Sequence, residues 1–199
     1  MTFDLENDRN SKNNINLNKR TTHKTMTKAI AVFDPKGSCN TAKISGYVLF
    51  ESTGKKHNTT ITFNLTGFKP NKTHAIHIHK NGITNLEKGC DSTCSHYNPH
   101  NVAHGSIKHF GKSRHVGDII NNLTSNANGN FFYQYDDDLV KLDAPHSVIG
   151  RSIVIHEGTD DLGIFRDDKS DKERQNGSST TGNAGKRIAC AVIGVFDDC

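Results

Sequence analysis

The chain has 199 residues, enough for one domain to bury a substantial hydrophobic core. Its composition is that of an ordinary globular protein, and no apolar run approaches the roughly 20 residues of a membrane-spanning helix. The formal net charge of +4 comes from scattered Lys and Arg residues without a basic stripe or interleaved aromatic residues, so we expect no nucleic-acid partner.

Residues 1–25 are rich in Asn, Lys and Thr, and their apolar residues stand singly. Such a segment cannot bury enough apolar surface to offset its ordering entropy, so it is predicted to be a disordered extension. Residues 26–199 are predicted to form the folded domain, with Met26 as a candidate internal start. No apolar stretch resembling a signal-peptide core is present, which predicts a cytoplasmic protein, in the host cytoplasm if the source is a virus.

From Lys28 onwards the sequence has the pattern of β-strands. Short runs alternate with period two or are rich in β-branched residues, and Gly, Asn or Pro clusters separate them. The predicted strands are Ala29–Phe33, Ile44–Glu51, Thr60–Leu65, Thr73–His79, Phe131–Tyr135, Ser152–His156 and Arg187–Phe196. No window longer than about ten residues has a helical apolar period. Repeated short strands with turns between them predict an all-β sandwich or barrel.

Two long segments, residues 80–117 and 158–186, fit no strand. The first is dense in His, Gly and Cys, and the second is polar and punctuated by glycine. Loops of this length inside a compact domain are usually functional or disordered. Histidines concentrate in the first loop and at the start of the second, which favours function.

The strand Thr73–His79 places His77 and His79 on one face, because residues two apart in a strand point to the same side. Ile76 and Ile78 then lie on the opposite face, packed in the core. Two imidazoles side by side are either half of a metal site or a pair of solvent-facing side chains. The pair alone does not decide between these interpretations.

The loop that follows supplies further candidate ligands, which are His96, His104, His115 and Asp118. Imidazole and carboxylate ligands suit a four-coordinate zinc site, which would also fix a loop of low apolar content. His156 ends a predicted strand. A single histidine at a strand end is more often structural than a ligand, so His156 gains weight only from the other histidines.

Six motifs resemble the Cu/Zn superoxide dismutase family, in that family's order and at nearly its spacing. They are His77-Ile78-His79, Gly89-Cys90, His96-Tyr97-Asn98-Pro99, His115-Val116-Gly117-Asp118, Val154-Ile155-His156-Glu157 followed by Asp160-Asp161-Leu162-Gly163, and the segment from Gly182 to Cys190. The resemblance covers about residues 26–196. It implies an immunoglobulin-like Greek-key β-sandwich or barrel with two long functional loops.

The resemblance also implies one copper and one zinc per subunit. Copper would be bound by His77, His79, His96 and His156. Zinc would be bound by His96, His104, His115 and Asp118. His96 would bridge the two metals, and Asp160 would link copper ligands to zinc ligands through hydrogen bonds.

For catalysis, the resemblance implies that Arg187 orients the superoxide anion beside copper and that His96 supplies a proton. Cys90 and Cys190 match the family's intrasubunit disulfide, although a disulfide is atypical of a cytosolic protein. Of the other cysteines, Cys94 is predicted to be an inert thiol, the alternative being that it competes for Cys190 or mispairs with Cys90. Cys39 and Cys199 are predicted to be surface thiols.

The resemblance implies a homodimer, and a copper chaperone is a candidate partner for metal loading. The apolar residues available for a dimer interface are Ile30, Val32, Ile149, Val192 and Ile193. Asn81 stands where the family commonly has an interfacial aromatic residue.

Two other functions compete with the dismutase. A chaperone-like protein would carry an N-terminal Met-x-Cys-x-x-Cys domain, but residues 1–38 contain no cysteine. An inactive dismutase-like binding module would have lost copper ligands, but every ligand position and Arg187 are filled. The sequence therefore favours the enzyme.

Overall fold

The structure, a computed structural model, describes residues 27–37, 39–52 and 58–197. The predicted extension at residues 1–25 lies outside the described residues, and the domain boundary at residue 26 stays a prediction. Within the described ranges, no helix is both long enough and apolar enough to cross a bilayer.

Strands make up most of the regular structure of the described chain. In chain order they are β1 (Thr27–Phe33), β2 (Ser45–Ser52), β3 (Thr59–Thr66), β4 (Thr73–His79), β5 (Asn121–Thr124), β6 (Phe131–Asp137), β7 (Ser152–His156) and β8 (Arg187–Val195). Two short helices, α1 (Ile107–Phe110) and α2 (Lys172–Thr180), and a 3₁₀ helix (Gly89–Thr93) lie in the long loops.

The strands form one sheet in the order β5-β4-β7-β8-β1-β2-β3-β6, which curls into a nearly closed barrel. Every pairing between neighbouring strands is antiparallel. The consecutive strands β3 and β4 are not neighbours in this order, and neither are β6 and β7. Such long connections are typical of Greek-key topology, so the predicted all-β Greek-key fold is confirmed.

The barrel interior is filled by side chains from alternate strand positions. In β3, Ile61, Phe63 and Leu65 are fully buried, whereas Asn64 between them is exposed. In β4, Ile76 and Ile78 belong to the same core. The intervening residues of β4 therefore point away from the core, which places the candidate ligand pair on the other face of the strand.

Each predicted strand is present, with its ends shifted by one or two residues at most. Four short elements were not predicted, namely β5, α1, α2 and the 3₁₀ helix. The start of α2 is fixed by Asp171, whose side chain accepts a hydrogen bond from the backbone N–H of Arg174. Local capping, with no apolar stripe, accounts for this helix.

Candidate metal centre

Two parts of the first long loop are hydrogen-bonded to the backbone at the end of β4. The amide of Ile78 donates to the carbonyl of Gly117 at 2.9 Å, and the carbonyl of Ile78 accepts from the amide of Tyr97 at 2.8 Å. His79 forms an isolated antiparallel bridge with His96. Two separate parts of the loop are thereby held beside the histidines of β4.

Gly117 lies directly against the backbone of β4. A Cβ atom at this position would overlap the carbonyl oxygen of Ile78, so only glycine allows the contact. His115 and Asp118 flank this glycine in the sequence. The close approach therefore brings both side chains onto the strand that carries the first two histidines.

Four histidines form the first cluster of candidate ligands, and they are those predicted to bind copper. His77, His79, His96 and His156 are buried, with one ring nitrogen from each within 4.8 Å of the others. The Nε2 atoms of His79 and His156 are 3.2 Å apart. The rings of His77 and His96 stack with their centroids 3.9 Å apart.

The second cluster contains the residues predicted to bind zinc. His96, His104, His115 and Asp118 are buried and also have their ligand atoms within 4.8 Å of one another. Oδ1 of Asp118 lies 2.9 Å from Nδ1 of His96. The same oxygen lies 3.0 Å from Nδ1 of His104 and 3.2 Å from Nδ1 of His115. His96 belongs to both clusters.

Unpartnered buried nitrogens indicate that both clusters suit cations. Within the described part of the chain, Nδ1 of His77 and Nε2 of His96 have no hydrogen-bond partner in the first cluster. In the second cluster, Nδ1 of His104 and Nδ1 of His115 lie close to Oδ1 of Asp118 but form no hydrogen bond of regular geometry. A buried lone pair is costly unless a donor or a metal takes it. Four imidazoles suit copper(II), and three imidazoles with a carboxylate suit zinc.

Asp160 connects the two clusters from behind. Its Oδ2 lies 2.5 Å from Nε2 of His77, and its Oδ1 lies 3.1 Å from Nε2 of His104. If each Nε2 carries the donated proton, each Nδ1 keeps its lone pair for a metal. The position predicted for Asp160 from the family motif is therefore the position in which it can orient one ligand of each cluster.

Two residues that the sequence did not single out hold Asp160 in place. The side-chain amide of Asn121 donates to Oδ2 of Asp160 at 3.1 Å. The side chain of Asn122 accepts from the amide of Asp160 at 2.8 Å and donates to its carbonyl at 2.8 Å. Both lie in β5, a strand with a single apolar residue, so no periodicity marked them.

Burial and the neighbouring charged groups shift the pKa values of the imidazoles. Desolvation, aided by repulsion from neighbouring rings, holds the pKa of His79 and of His96 well below the usual range and lowers the pKa of His156 to about 3. Desolvation would also lower the pKa of His104, but the adjacent carboxylates of Asp118 and Asp160 outweigh it and raise the pKa to about 10. A cation bound to this cluster would therefore compete with a proton for His104.

Arg187 lies at the edge of the first cluster. It opens β8 directly opposite His156 in the β7–β8 register. Its guanidinium donates to the carbonyls of Cys90 and Cys94, at 2.8 Å and 2.6 Å. The carbonyl of Cys94 also lies 2.7 Å from Nδ1 of His79. One carbonyl oxygen thus fixes both a candidate copper ligand and the half-buried cation beside it.

The Cys90–Cys190 disulfide joins the 3₁₀ helix to β8, with 5.7 Å between the two Cα atoms. Cys94 is exposed. Cys199 lies outside the described residues. Cys39, predicted to be a surface thiol, takes no part in the disulfide and is partly exposed, and it packs against the disulfide.

Comparison with known proteins gives a consistent result. A family model for copper/zinc superoxide dismutase matches residues 44–193. The superoxide dismutase [Cu-Zn] of Claviceps purpurea (strain 20.1) is 45% identical over 170 residues, which cover 85% of this chain and 99% of that protein. The superoxide dismutase [Cu-Zn] of Paramecium bursaria Chlorella virus 1 is 39% identical over 183 residues, which cover 90% of this chain and 86% of that protein.

A solved structure gives the same fold. The crystal structure of the clock protein EA4 superposes with a TM-score of 0.69 at 36% identity, covering 85% of this chain and 94% of that chain. The segment matched by the family model contains both ligand clusters and both disulfide cysteines. Copper and zinc are the cofactors of that family. The chain belongs to the copper/zinc superoxide dismutase family.

Proposed function

We propose that this protein is a superoxide dismutase that converts superoxide to dioxygen and hydrogen peroxide. The observation that carries the proposal is the pair of buried four-ligand clusters that share His96. A binding module without activity is not favoured, because the cluster assigned to copper is complete and Arg187 stands beside it.

Copper belongs to the cluster of four histidines, and zinc to the cluster that contains Asp118. Copper supplies the one-electron couple that oxidises one superoxide and reduces the next, which zinc cannot do. The protein contributes a buried and closely packed ligand set, oriented by Asp160 on its outer side. Such orientation raises ligand basicity and fixes the geometry of the ring.

His96 is the residue that we expect to transfer a proton to the reduced substrate. Its Nδ1 lies against Asp118, which leaves Nε2 to the copper cluster. The stack on His77 keeps the ring from turning away. With Nδ1 turned to zinc, Nε2 of His96 would either bind copper or carry a proton. It would supply one of the two protons that reduced superoxide needs to leave as hydrogen peroxide, and the second would come from solvent.

Arg187 is the residue that we expect to receive the anion. Its guanidinium keeps its charge even though burial lowers the pKa of Arg187, because arginine stays protonated in proteins. Backbone carbonyls hold it beside His79 and His156. A fixed cation at the rim of the copper cluster attracts a small anion and presents hydrogen-bond donors to it.

The direct test is to load the purified chain with copper and zinc and to measure metal content and superoxide dismutation. We expect one copper and one zinc per chain and a rate far above the metal-free protein. Two bound metals with background activity would contradict the enzyme and favour the binding module.

Arg187→Glu should lower the dismutation rate by about tenfold or more while copper stays bound, because the reversed charge repels superoxide. The wild-type rate should fall with rising ionic strength, and the variant rate should not. Stopped-flow kinetics over a salt series measures both. Lys69→Glu makes the same charge change near the opposite end of β4 and should leave the rate nearly unchanged. Equal effects of the two variants would exclude a local role for Arg187.

We also propose that the protein is a homodimer. Val32, Val192 and Val195 are exposed on the neighbouring strands β1 and β8, which gives an apolar patch for a second copy. Ile193 was predicted to take part, but it is fully buried in the core and cannot. A monomeric mass in analytical ultracentrifugation would contradict the proposal. A copper chaperone as partner and a cytoplasmic location stay predictions.

A further inference from the structure

A third cysteine lies beside the disulfide. The Sγ atoms of Cys39, Cys90 and Cys190 are all within 4.8 Å of one another. Sγ of Cys90 also lies 2.9 Å from the carbonyl oxygen of Cys39. Three sulfur atoms at this spacing can exchange bonds with little movement of the chain, because thiol–disulfide exchange needs only the approach of one sulfur to another.

The backbone around Cys39 is bonded to the strand that carries Cys190. Asn40 forms an isolated antiparallel bridge with Ala189. The amide and the hydroxyl of Thr41 both donate to the carbonyl of Ile188, at 2.9 Å and 3.0 Å. Cys39 is therefore held beside β8 by hydrogen bonds that do not depend on the disulfide, so its place is expected to persist when the disulfide is reduced.

Solvent reaches this cluster through a small pocket. The pocket has a volume of about 190 Å³, and Cys39 and Cys90 are among its lining residues, whereas Cys190 is not. Cys39 is partly exposed, but Cys90 and Cys190 are buried. The charged residues of the lining are Lys88, Arg187, Glu87 and Asp91. A small polar disulfide from solution therefore meets Cys39 before the other two sulfurs.

We propose that Cys39 is an exchange site through which the reduced chain acquires the Cys90–Cys190 disulfide from a low-molecular-weight disulfide. The Cys39 thiolate attacks the external disulfide, forms a mixed disulfide and releases one thiol. The Cys90 thiolate then attacks Sγ of Cys39, forms a Cys39–Cys90 bond and releases the second thiol. Finally the Cys190 thiolate attacks Sγ of Cys90 and restores the Cys39 thiolate. One external disulfide is reduced to two thiols for each protein disulfide formed.

Formation of the disulfide affects a segment close to the metal centre. The carbonyl of Cys90 accepts a hydrogen bond from Arg187, so the bond partner of Cys90 influences the segment that holds the guanidinium. Exchange through Cys39 would let the chain complete this part of the site without a protein partner. The inference concerns disulfide formation and does not depend on dismutase activity.

The test uses the full-length chain, reduced and loaded with zinc, with copper omitted because copper oxidises thiols. Oxidised glutathione is added, and samples are alkylated over time and analysed by mass spectrometry. Cys39→Ser should slow formation of the Cys90–Cys190 disulfide by about tenfold or more, since a neighbouring thiol gives a large effective concentration. Cys94→Ser makes the same change at an exposed thiol and should not alter the rate.

A second variant traps the intermediate. Cys190→Ser should accumulate a Cys39–Cys90 disulfide, identified by peptide mapping, because the last exchange step is blocked. This readout holds even if Cys39→Ser folds poorly. An unchanged rate in a folded Cys39→Ser variant would overturn the proposal. So would glutathione on Cys90, or a Cys90–Cys94 bond, in place of the Cys39–Cys90 link in Cys190→Ser.

Discussion

Replacing His156 with alanine should remove copper and lower dismutase activity by about 100-fold or more, while zinc stays bound. His156 is a member of the four-histidine cluster and of no other candidate ligand group in the described chain. Its Nε2 faces Nε2 of His79 at 3.2 Å, and its Nδ1 lies 3.0 Å from the carbonyl of Gly185. The substitution therefore deletes one copper ligand without touching a residue of the zinc cluster.

A variant of the zinc cluster tests whether copper and zinc are bound by separate sets of ligands. His115 belongs only to the second cluster, so His115→Ala should release zinc and keep copper. His109→Ala removes an exposed histidine of the same loop and should change neither metal. Metal content is measured by mass spectrometry of the dialysed proteins. Parallel loss of both metals from His156→Ala and from His115→Ala would contradict two separate sites.

The strands and one ligand pair could be predicted because their signal is local. Alternation in β3 and the adjacent imidazoles of β4 follow from the period of two in a strand. The convergence of His96 and His115 on that pair is different in kind. It depends on hydrogen bonds from β4 to Tyr97 and Gly117, far apart in the sequence, and only the family motifs anticipated it.

What the sequence did not predict lacks a local apolar pattern. β5 has a single apolar residue among four, yet its asparagines position Asp160. α2 forms through a capped first turn without an apolar stripe. Cys39 reaches the disulfide only because the turn after β1 is bonded to β8. For β5 and Cys39 the deciding contacts join segments that are distant along the chain, whereas for α2 the contact is local but polar.

The buried ion pair between Arg114 and Asp137, next to the zinc cluster, also joins segments that are apart in the sequence. Arg114 directly precedes the candidate ligand His115 and is fully buried. One of its guanidinium nitrogens donates to both carboxylate oxygens of Asp137 at 3.0 Å, and another donates to the carbonyl of His115 at 3.2 Å. Asp137 also accepts from the hydroxyl of Tyr135 and from the amide of Val140, each at 3.0 Å. The pair therefore ties the zinc loop to β6.

Arg114→Met should lower the free energy of unfolding of the metal-free chain by about 3–5 kcal/mol, because it leaves the Asp137 carboxylate buried without its cation. The metal-free chain is the right reference, since bound zinc would add its own stabilisation. Equilibrium denaturation in urea measures the change. Lys112 lies on the same loop as Arg114 and forms an exposed ion pair with Asp138, with 3.3 Å between Nζ and Oδ2. Lys112→Ala breaks this pair and should lower the free energy of unfolding by less than about 1 kcal/mol. Equal losses of unfolding free energy in the two variants would mean that the burial of the Arg114–Asp137 pair adds nothing to stability.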